Sequence, residues 1–217
     1  MSLSQLVDSF LLNEQELRSK RLRSGKFSPS SFGRCFRNQY WNRKNEPESN
    51  PADMKSLRRM RVGTVLHGWL ESLVSCQVLS IIERGYESID CAYFVDVELE
   101  DKIVEIKTAG AYAFKKLCGK DYDIRKDKPH NILQAAYYAV MRKKDLFELY
   151  FFCTDSGLDK GFQFDTKDWV EKVAEELSIL NGFWAKGKLP PPAKRLSWDC
   201  GYCNWKDKCE EEVKREV

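Results

Sequence analysis

The sequence predicts an α/β fold in which one central β-sheet is flanked by helices, all within a single domain spanning residues 1–217. Apolar residues recur every three or four positions over residues 53–76 and 166–184, which is the spacing of an amphipathic helix. Segments rich in β-branched and aromatic residues predict strands at 78–83, 88–97, 103–108, 146–154 and 161–164. With 217 residues, 42% of them hydrophobic, the chain is long enough to bury one sizeable core.

The N-terminal segment, residues 1–52, is predicted to be helical. Residues 3–24 carry apolar side chains at near-helical spacing and end in a basic stretch. Ser28 followed by Pro29 indicates a second helix start, because serine caps a helix and proline fits its first turn. We expect this second helix to continue through Trp41.

Residues 53–187 are predicted to form the core of the domain. Residues 99–102 form a turn that joins two strands into a hairpin. Further helices are expected at 109–117 and 130–143, on either side of a charged loop at 119–129. A run of prolines then breaks regular structure, and residues 188–217 form a C-terminal cysteine-rich segment.

Composition excludes some classes of protein. The 36 basic and 33 acidic residues give a net charge of only +3, so the overall charge indicates no particular partner. No apolar run approaches the roughly 18 residues of a membrane-spanning helix, and the first residues lack the layout of a signal peptide. We therefore expect a soluble, cytoplasmic protein without a membrane partner. In a reducing cytosol, the eight cysteines indicate metal or catalytic use of some and burial of the rest.

The clearest candidate for chemistry is a Glu-x-Lys pattern on a predicted strand. Side chains alternate along a strand, so Glu105 and Lys107 point to one face and Ile106 to the other. A divalent cation with oxygen ligands would take Glu105, a carboxylate from the preceding strand and the Ile106 carbonyl. The second carboxylate is Asp90 or Asp96. We prefer Asp90, which would meet the glutamate at the open end of the sheet.

Three further residues are candidates for the same site. His67 lies on the predicted helix before the sheet, with Glu71 one turn further along the same face. Gln134 and Tyr138 are four residues apart and share a helix face. We expect Gln134 to hydrogen-bond near Lys107 or a phosphate and Tyr138 to pack on a sugar or base. Each of these residues is also compatible with an ordinary place in the core.

The C-terminal segment contains three cysteines in a Cys-x2-Cys-x5-Cys pattern, namely Cys200, Cys203 and Cys209. A tetrahedral zinc ion or a cubane iron-sulfur cluster needs four ligands. Cys35, which lies among aromatic residues, is the best candidate for the fourth. Such a cluster would join the N- and C-terminal segments and close a very long loop, where a crosslink removes most chain entropy. The other cysteines are expected to be small buried hydrophobic residues.

Taken together, these motifs resemble those of the RecB-like branch of the PD-(D/E)XK nuclease superfamily, and within it the iron-sulfur members: the CRISPR-associated exonucleases and the nuclease domain of AddB. The matching positions span residues 35–209. They are Gly63 to His67, Asp90, Glu105 to Lys107, Gln134 to Tyr138, and the four cysteines. The relatives usually have a glycine shortly before the aspartate, which is missing before Asp90, so the choice between Asp90 and Asp96 stays open.

The resemblance implies a restriction-endonuclease-like core with a central mixed sheet. It implies manganese or magnesium at His67, Asp90 and Glu105, and a 4Fe-4S cluster on Cys35, Cys200, Cys203 and Cys209. It also implies cleavage of DNA, often from single-stranded ends, as an exonuclease with protein partners in repair, recombination or CRISPR adaptation. Basic residues such as Arg58, Arg61 and Lys115 would either guide the DNA backbone or form solvated helix faces. The alternatives are a non-catalytic iron-sulfur or zinc subunit for DNA binding or assembly, and a zinc-containing restriction-like endonuclease.

Overall fold

A computed structural model of the protein describes residues 2–20, 24–75, 81–193 and 195–215. Its strands form one mixed sheet in the order β1-β2-β3-β4-β5. The strands are β1 (Ile81–Glu87), β2 (Ala92–Glu98), β3 (Lys102–Ala109), β4 (Leu146–Cys153) and β5 (Asp159–Asp165). The α-helices of the described residues are α1 (Leu3–Lys20), α2 (Phe36–Lys44), α3 (Met54–Ser75), α4 (Ala111–Leu117), α5 (Ile124–Asp127), α6 (Pro129–Arg142), α7 (Val170–Ala185) and α8 (Lys206–Arg215).

The sheet is antiparallel except where β3 pairs with β4 in parallel. Parallel neighbours need a long crossover connection. Helices α4, α5 and α6 form this crossover. The predicted hairpin turn is confirmed, because the Leu99 amide donates to the Lys102 carbonyl at 2.9 Å. The connection between β3 and β4 places α6 against the sheet, where its buried residues form part of the main hydrophobic core.

Helix α6 is buried on several sides. Every residue from Asn131 to Ala139 is buried, which is typical of a helix inside the layers rather than at the surface. Its alanines allow it to approach the sheet closely, and it also packs against the turn at Pro29–Ser31 and against α7. The opposite face of the sheet has a smaller core of Leu70 on α3 with Val97 and Ile106. The sheet therefore lies between α6 on one side and α3 on the other.

Several predicted boundaries need correction. The predicted helix from Ser28 through Trp41 is instead a 3₁₀ turn at Pro29–Ser31 followed by α2. Gly33 separates them at φ +74°, and a Cβ there would lie 2.8 Å from the His130 Cα. The charged loop contains the one-turn helix α5, and the last predicted helix begins with a 3₁₀ turn before α7. Residues 21–23 of the first predicted helix and 78–80 of the first predicted strand lie outside the described residues.

The two ends of the chain contact each other, as predicted. The buried Asp199 carboxylate accepts hydrogen bonds from Arg34 Nε at 3.1 Å and from the Cys35 amide at 3.2 Å. The Trp205 indole donates to the Glu46 carbonyl at 3.0 Å. The C-terminal segment is thus held against α2 and the loop that follows it. In the described part of the chain, no helix is both long and apolar enough to cross a membrane.

Candidate active site and metal centre

Strands β2 and β3 pair over a short distance and then separate. Their register joins Val97 to Val104 and Glu98 to Ile103. Asp96 is the next residue of β2, and its Oδ2 accepts a hydrogen bond from the Ile106 backbone amide at 2.8 Å. The Asp96 side chain therefore replaces the next backbone-to-backbone hydrogen bond between β2 and β3. This opening lets carboxylates of both strands converge instead of pairing backbone to backbone.

The Glu-x-Lys prediction is confirmed in its geometry. The Lys107 ammonium donates to Glu105 Oε1 at 2.6 Å, and both side chains contact Gln134 of α6, so both lie on the α6 face of the sheet. Ile106 lies on the opposite face, packed with Leu70 and Val97. Alternation along a regular strand is the cause of this arrangement. The carboxylate and the ammonium are presented together at the edge of the opening.

Gln134 connects this pair to α6. Its amide nitrogen donates to Glu105 Oε1 at 2.7 Å and to the Tyr138 hydroxyl at 3.0 Å. Its amide oxygen accepts from Lys107 Nζ at 3.2 Å. Gln134 thus contacts the catalytic lysine candidate, as predicted. This network fixes the positions of the Glu105 and Lys107 side chains.

Tyr138 does not have the predicted contact surface. It is 2% exposed and stacks on Tyr93, with ring centroids 5.1 Å apart. Burial, together with the nearby Glu105 charge, raises its pKa well above the usual tyrosine value. A ring enclosed in this way cannot pack on a sugar or base. Tyr138 instead accepts a hydrogen bond from Gln134 and helps to hold it in place.

His67 lies close to two carboxylates. Ligand atoms of His67, Glu71 and Asp96 all lie within 4.8 Å of one another, and His67 Nδ1 is 3.8 Å from Asp96 Oδ2. Helix α3 supplies the first two from consecutive turns, because residues four apart share a helix face. An imidazole with carboxylates is a donor set for a divalent cation. Glu71 was not among the predicted ligands, although its spacing from His67 was visible in the sequence.

The second oxygen of Glu105 is the observation that best fits a bound cation. Glu105 is 2% exposed, and its Oε2 is buried without a hydrogen-bond partner. Burial raises the pKa of this carboxyl to about 7; the Lys107 charge opposes the rise and the Asp96 charge adds to it. A buried carboxylate oxygen without a donor is costly unless a cation contacts it. The residues present therefore fit a divalent metal ion.

The two candidate aspartates lie in different places. Asp90 precedes β2, where its carbonyl accepts from the Phe27 amide at 2.8 Å, and its charge acts on Arg43. At about 3.3 Å per residue, it is roughly 20 Å along the chain from Asp96. The structure brings Asp96 to His67, whereas the preferred Asp90 is remote because the strand begins after it. The Ile106 peptide adjoins the site through its amide, and the metal role of its carbonyl remains a prediction.

Three of the four predicted cluster cysteines are neighbours. Cys35 immediately precedes α2, and Asn38 in that helix donates to the Cys203 sulfur at 3.5 Å. Arg37 donates to the Cys209 sulfur at 3.8 Å. Burial raises the pKa of the Cys209 thiol; Arg37 lowers it, and Cys35 and Cys203 raise it further.

Cys200 is exposed in the turn Asp199–Tyr202 that begins this segment. Trp205 is buried with Tyr40 and Trp41 beside these sulfurs, so it shields them as predicted, while Tyr202 is exposed. Donors directed at sulfur and a water-excluding aromatic layer are features that suit thiolate ligands.

The remaining cysteines differ in their surroundings. Cys91 and Cys153 are buried, as predicted, but Cys118 is exposed because it follows the last turn of α4. Cys76 lies outside the described residues. None of the three described thiols contributes to the sites above.

His130 links the two sites. It lies one turn before Gln134 on α6, and its ring is in edge-to-face contact with Trp198 at 5.2 Å. Burial lowers the pKa of His130 to about 4, and the Lys128 and Lys107 charges lower it further. The cysteine-rich segment thus packs on the same helix that positions Glu105 and Lys107. No sequence pattern indicates this contact, because it depends on how the C-terminal segment returns to α6.

The five-stranded mixed sheet with helices on both faces matches a restriction-endonuclease-like nuclease fold. Among solved structures, the chain is similar to SSO0001 at 15% identity and a TM-score of 0.60, with 96% of each chain covered. It is also similar to the alkaline exonuclease LHK-Exo of Laribacter hongkongensis at 11% identity and a TM-score of 0.52, covering 90% of this chain and 96% of that one. The complex of LHK-Exo with dAMP gives 12% identity and a TM-score of 0.51, with 89% and 95% covered. No protein-family model and no curated protein matches the sequence.

Proposed function

We propose that this protein is a metal-dependent deoxyribonuclease that hydrolyses phosphodiester bonds in DNA. The single observation that carries the proposal is the buried, unpartnered Glu105 Oε2 in a site that also brings together Asp96, His67 and Lys107. A surface strand in a binding protein has no need to bury a carboxylate in this way. The fold it shares with an alkaline exonuclease supports the same proposal.

Manganese or magnesium would be held by His67, Asp96 and Glu105, with Glu71 and the Ile106 carbonyl as further oxygen donors. When bound, the cation supplies Lewis-acid stabilisation of negative charge on the phosphate. In hydrolysis a water oxygen bonds to phosphorus, the bond to the leaving oxygen breaks, and that oxygen gains a proton. The Lys107 ammonium is placed to stabilise the charge that develops. Gln134 keeps Lys107 and Glu105 in one arrangement.

We further propose that the substrate is the end of a single DNA strand. Phe94 precedes Asp96 by two residues on β2, and both alternate with the buried Tyr93 and Val95, so they lie on the same side of the strand. Its ring is 66% exposed and rests on Gly85, where a Cβ would come within 3.0 Å of it. An exposed aromatic ring beside a phosphate site suits stacking on an unpaired base.

We assign Cys35, Cys200, Cys203 and Cys209 to a structural 4Fe-4S cluster, as in the RecB-like iron-sulfur nucleases that the sequence resembles. The sulfur-directed donors Arg37 and Asn38 and the buried Trp205 support this assignment over an unliganded thiol group. The cluster would join the two terminal segments. A brown colour in the purified protein would indicate an iron-sulfur cluster rather than zinc, since zinc has no visible absorption band.

The proposal is tested by incubating the protein with end-labelled single-stranded and duplex DNA, with and without Mn²⁺. We expect Mn²⁺-dependent shortening of the single strand from an end, lost in Glu105→Gln and Lys107→Ala. Matched controls are Glu175→Gln and Lys186→Ala, which change exposed residues of the same types on and next to α7. If all four variants degrade DNA alike, the site is not catalytic. Binding of DNA without cleavage would instead identify a non-catalytic DNA-binding or assembly subunit.

A further inference from the structure

Helix α1 is attached to the domain by a very small buried surface. It is 18 residues long, yet Leu11 is its one buried residue. Leu3 is 77% exposed, Leu6 52% and Phe10 53%. These side chains recur at three- and four-residue intervals and form a stripe along one face. An isolated helix of this length is marginally stable in water and usually depends on burial of its apolar face.

Helix α3 exposes a second apolar stripe next to the first. Val62, Val65, Trp69 and Leu73 are each about half exposed and are spaced three or four residues apart. The other side of α3 faces the sheet through Leu70 and carries His67. The two stripes meet at Val62, which lies beside Leu6 and Phe10 of α1, whereas Trp69 further along α3 also packs edge-to-face on Phe152 of β4 with ring centroids 5.7 Å apart.

A groove of about 470 Å³ runs between these helices, which we call the α1/α3 groove. Five apolar side chains line it, among them Phe10 and Val62, together with Arg58 and Arg61. Both arginines are already neutralised within the chain. Arg58 Nε donates to Asp8 at 2.9 Å, and Arg61 lies 3.6 Å from the Glu14 carboxylate.

We infer that the α1/α3 groove binds a second copy of this chain, so that two α1/α3 pairs pack face to face as a four-helix layer around a two-fold axis. A single copy cannot cover these stripes with the residues that the structure describes. At about 1.5 Å per residue and helix spacings of 8–10 Å, the two helices present a face of roughly 30 by 20 Å. That is of the order of the ~800 Å² per partner in a standard stable interface.

Charge favours a copy of the chain over a nucleic acid in this groove. A phosphate backbone needs a surplus of cations. Arg58 and Arg61 provide none, because Asp8 and Glu14 balance them. Two identical faces of this kind meet without like-charge repulsion, and their apolar stripes are complementary by symmetry. Contiguous exposed apolar surface of this size is rare on proteins that stay monomeric.

The test is the mass of the full-length protein in solution, measured by sedimentation equilibrium over a range of concentrations. The chain has a mass of 25.3 kDa, and we expect twice that value. Phe10→Asp and Val62→Asp, one on each helix and both in the groove, should each raise the dissociation constant at least tenfold. Leu158→Asp is the matched control, because Leu158 is 62% exposed outside the groove and should leave the dimer unchanged.

Circular dichroism and thermal melting of the variants identify any that fail to fold, and the second groove variant then decides. A monomer at high micromolar concentration overturns the inference, as does a dimer that neither groove variant weakens. A loss of DNA binding in the groove variants without any change of mass would assign the surface to nucleic acid and also reject it. The readout is mass, so the result does not depend on the proposed nuclease activity.

Discussion

The Asp96 carboxylate accepts a hydrogen bond from the Ile106 backbone amide at 2.8 Å, across the gap where β2 and β3 stop pairing. One oxygen of the side chain thereby replaces a strand-to-strand bond and holds the gap open. This bond also places Asp96 within electrostatic reach of Glu105, whose pKa it helps to raise after the larger effect of burial. The separation of the two strands is therefore what forms the site.

The first prediction concerns the choice of aspartate. Asp96→Asn should reduce Mn²⁺-dependent cleavage by about 100-fold or more. The substitution removes a carboxylate that would hold the cation, and the cation stabilises negative charge in the transition state. Asp90→Asn should stay within about threefold of the unchanged protein, because Asp90 lies before the start of β2 and outside the His67, Glu71 and Asp96 group. Initial rates on single-stranded DNA measure both. The opposite ranking would return the site to the open end of β2 and contradict the geometry described here.

The second prediction concerns pH and stability. Burial raises the pKa of Glu105 from 4.5 to about 7 in the folded state, so the folded protein holds this proton more tightly than the unfolded chain. The stability it contributes is present below pH 4.5 and is lost as the pH rises through about 7. At about 1.4 kcal/mol per pKa unit, the loss is on the order of 3 kcal/mol.

This loss is measured by urea unfolding of the metal-free protein in EDTA at pH 5 and pH 8. Glu105→Gln has no such proton, so its advantage over the unchanged protein should appear at pH 8 and vanish at pH 5. Comparing the two proteins at each pH removes the contribution of all other carboxylates. An equal difference at both pH values would show that Glu105 ionises normally.

Part of the site could be predicted from the sequence because it depends on local geometry. The shared face of Glu105 and Lys107 follows from strand alternation, and the contact of Gln134 with Lys107 follows once one helix packs on that face. The choice of aspartate could not be predicted, because it depends on where β2 begins and where it leaves β3. Periodicity does not locate strand ends to within a few residues.

The prediction that Tyr138 packs on a sugar or base was wrong for a different reason. The sequence pattern of α6 is apolar on most sides, so which of its aromatic residues reaches solvent depends on what packs behind it. The turn at Pro29–Ser31 and α7 cover that side, and their packing is a long-range property. Glu71 was missed because a single glutamate on a helix is usually a surface residue. Its 5% exposure became informative only beside His67.

The third prediction compares the contributions of Gln134 and Tyr138 on α6 to the cleavage rate. Gln134→Leu should lower the cleavage rate by about 10- to 100-fold, because Glu105 and Lys107 lose the amide that holds both. Tyr138→Phe should cost less than about tenfold, since only an acceptor for Gln134 is removed. Cleavage rates at saturating and at limiting DNA concentration measure the loss in each variant. A larger loss from Tyr138→Phe than from Gln134→Leu would restore Tyr138 to direct contact with the substrate.

The fourth prediction concerns the cysteines. Cys209→Ser should remove visible absorbance and lower the melting temperature by about 10 °C, because a crosslink between distant segments is worth about 3 kcal/mol and 1 kcal/mol corresponds to roughly 2–4 °C at this size. Cys118→Ser is the control, because its thiol is exposed and remote. Differential scanning calorimetry with a visible spectrum measures both properties. Equal melting of the two variants would show that the thiols bind nothing structural.

The fifth prediction concerns Glu176 on α7, a buried carboxylate that the sequence did not single out. It accepts hydrogen bonds from the Gly33 amide at 2.9 Å, from Gln39 Nε2 at 2.9 Å and from Arg195 at 2.8 Å. Glu176→Ala leaves these donors without an acceptor and should reduce the free energy of unfolding by about 3–5 kcal/mol. The adjacent Glu175 is exposed, so Glu175→Ala should stay within about 0.5 kcal/mol of the unchanged protein. Urea unfolding measures both, and equal values would mean that the turn around Gly33 and the segment around Arg195 hold to α7 without this carboxylate.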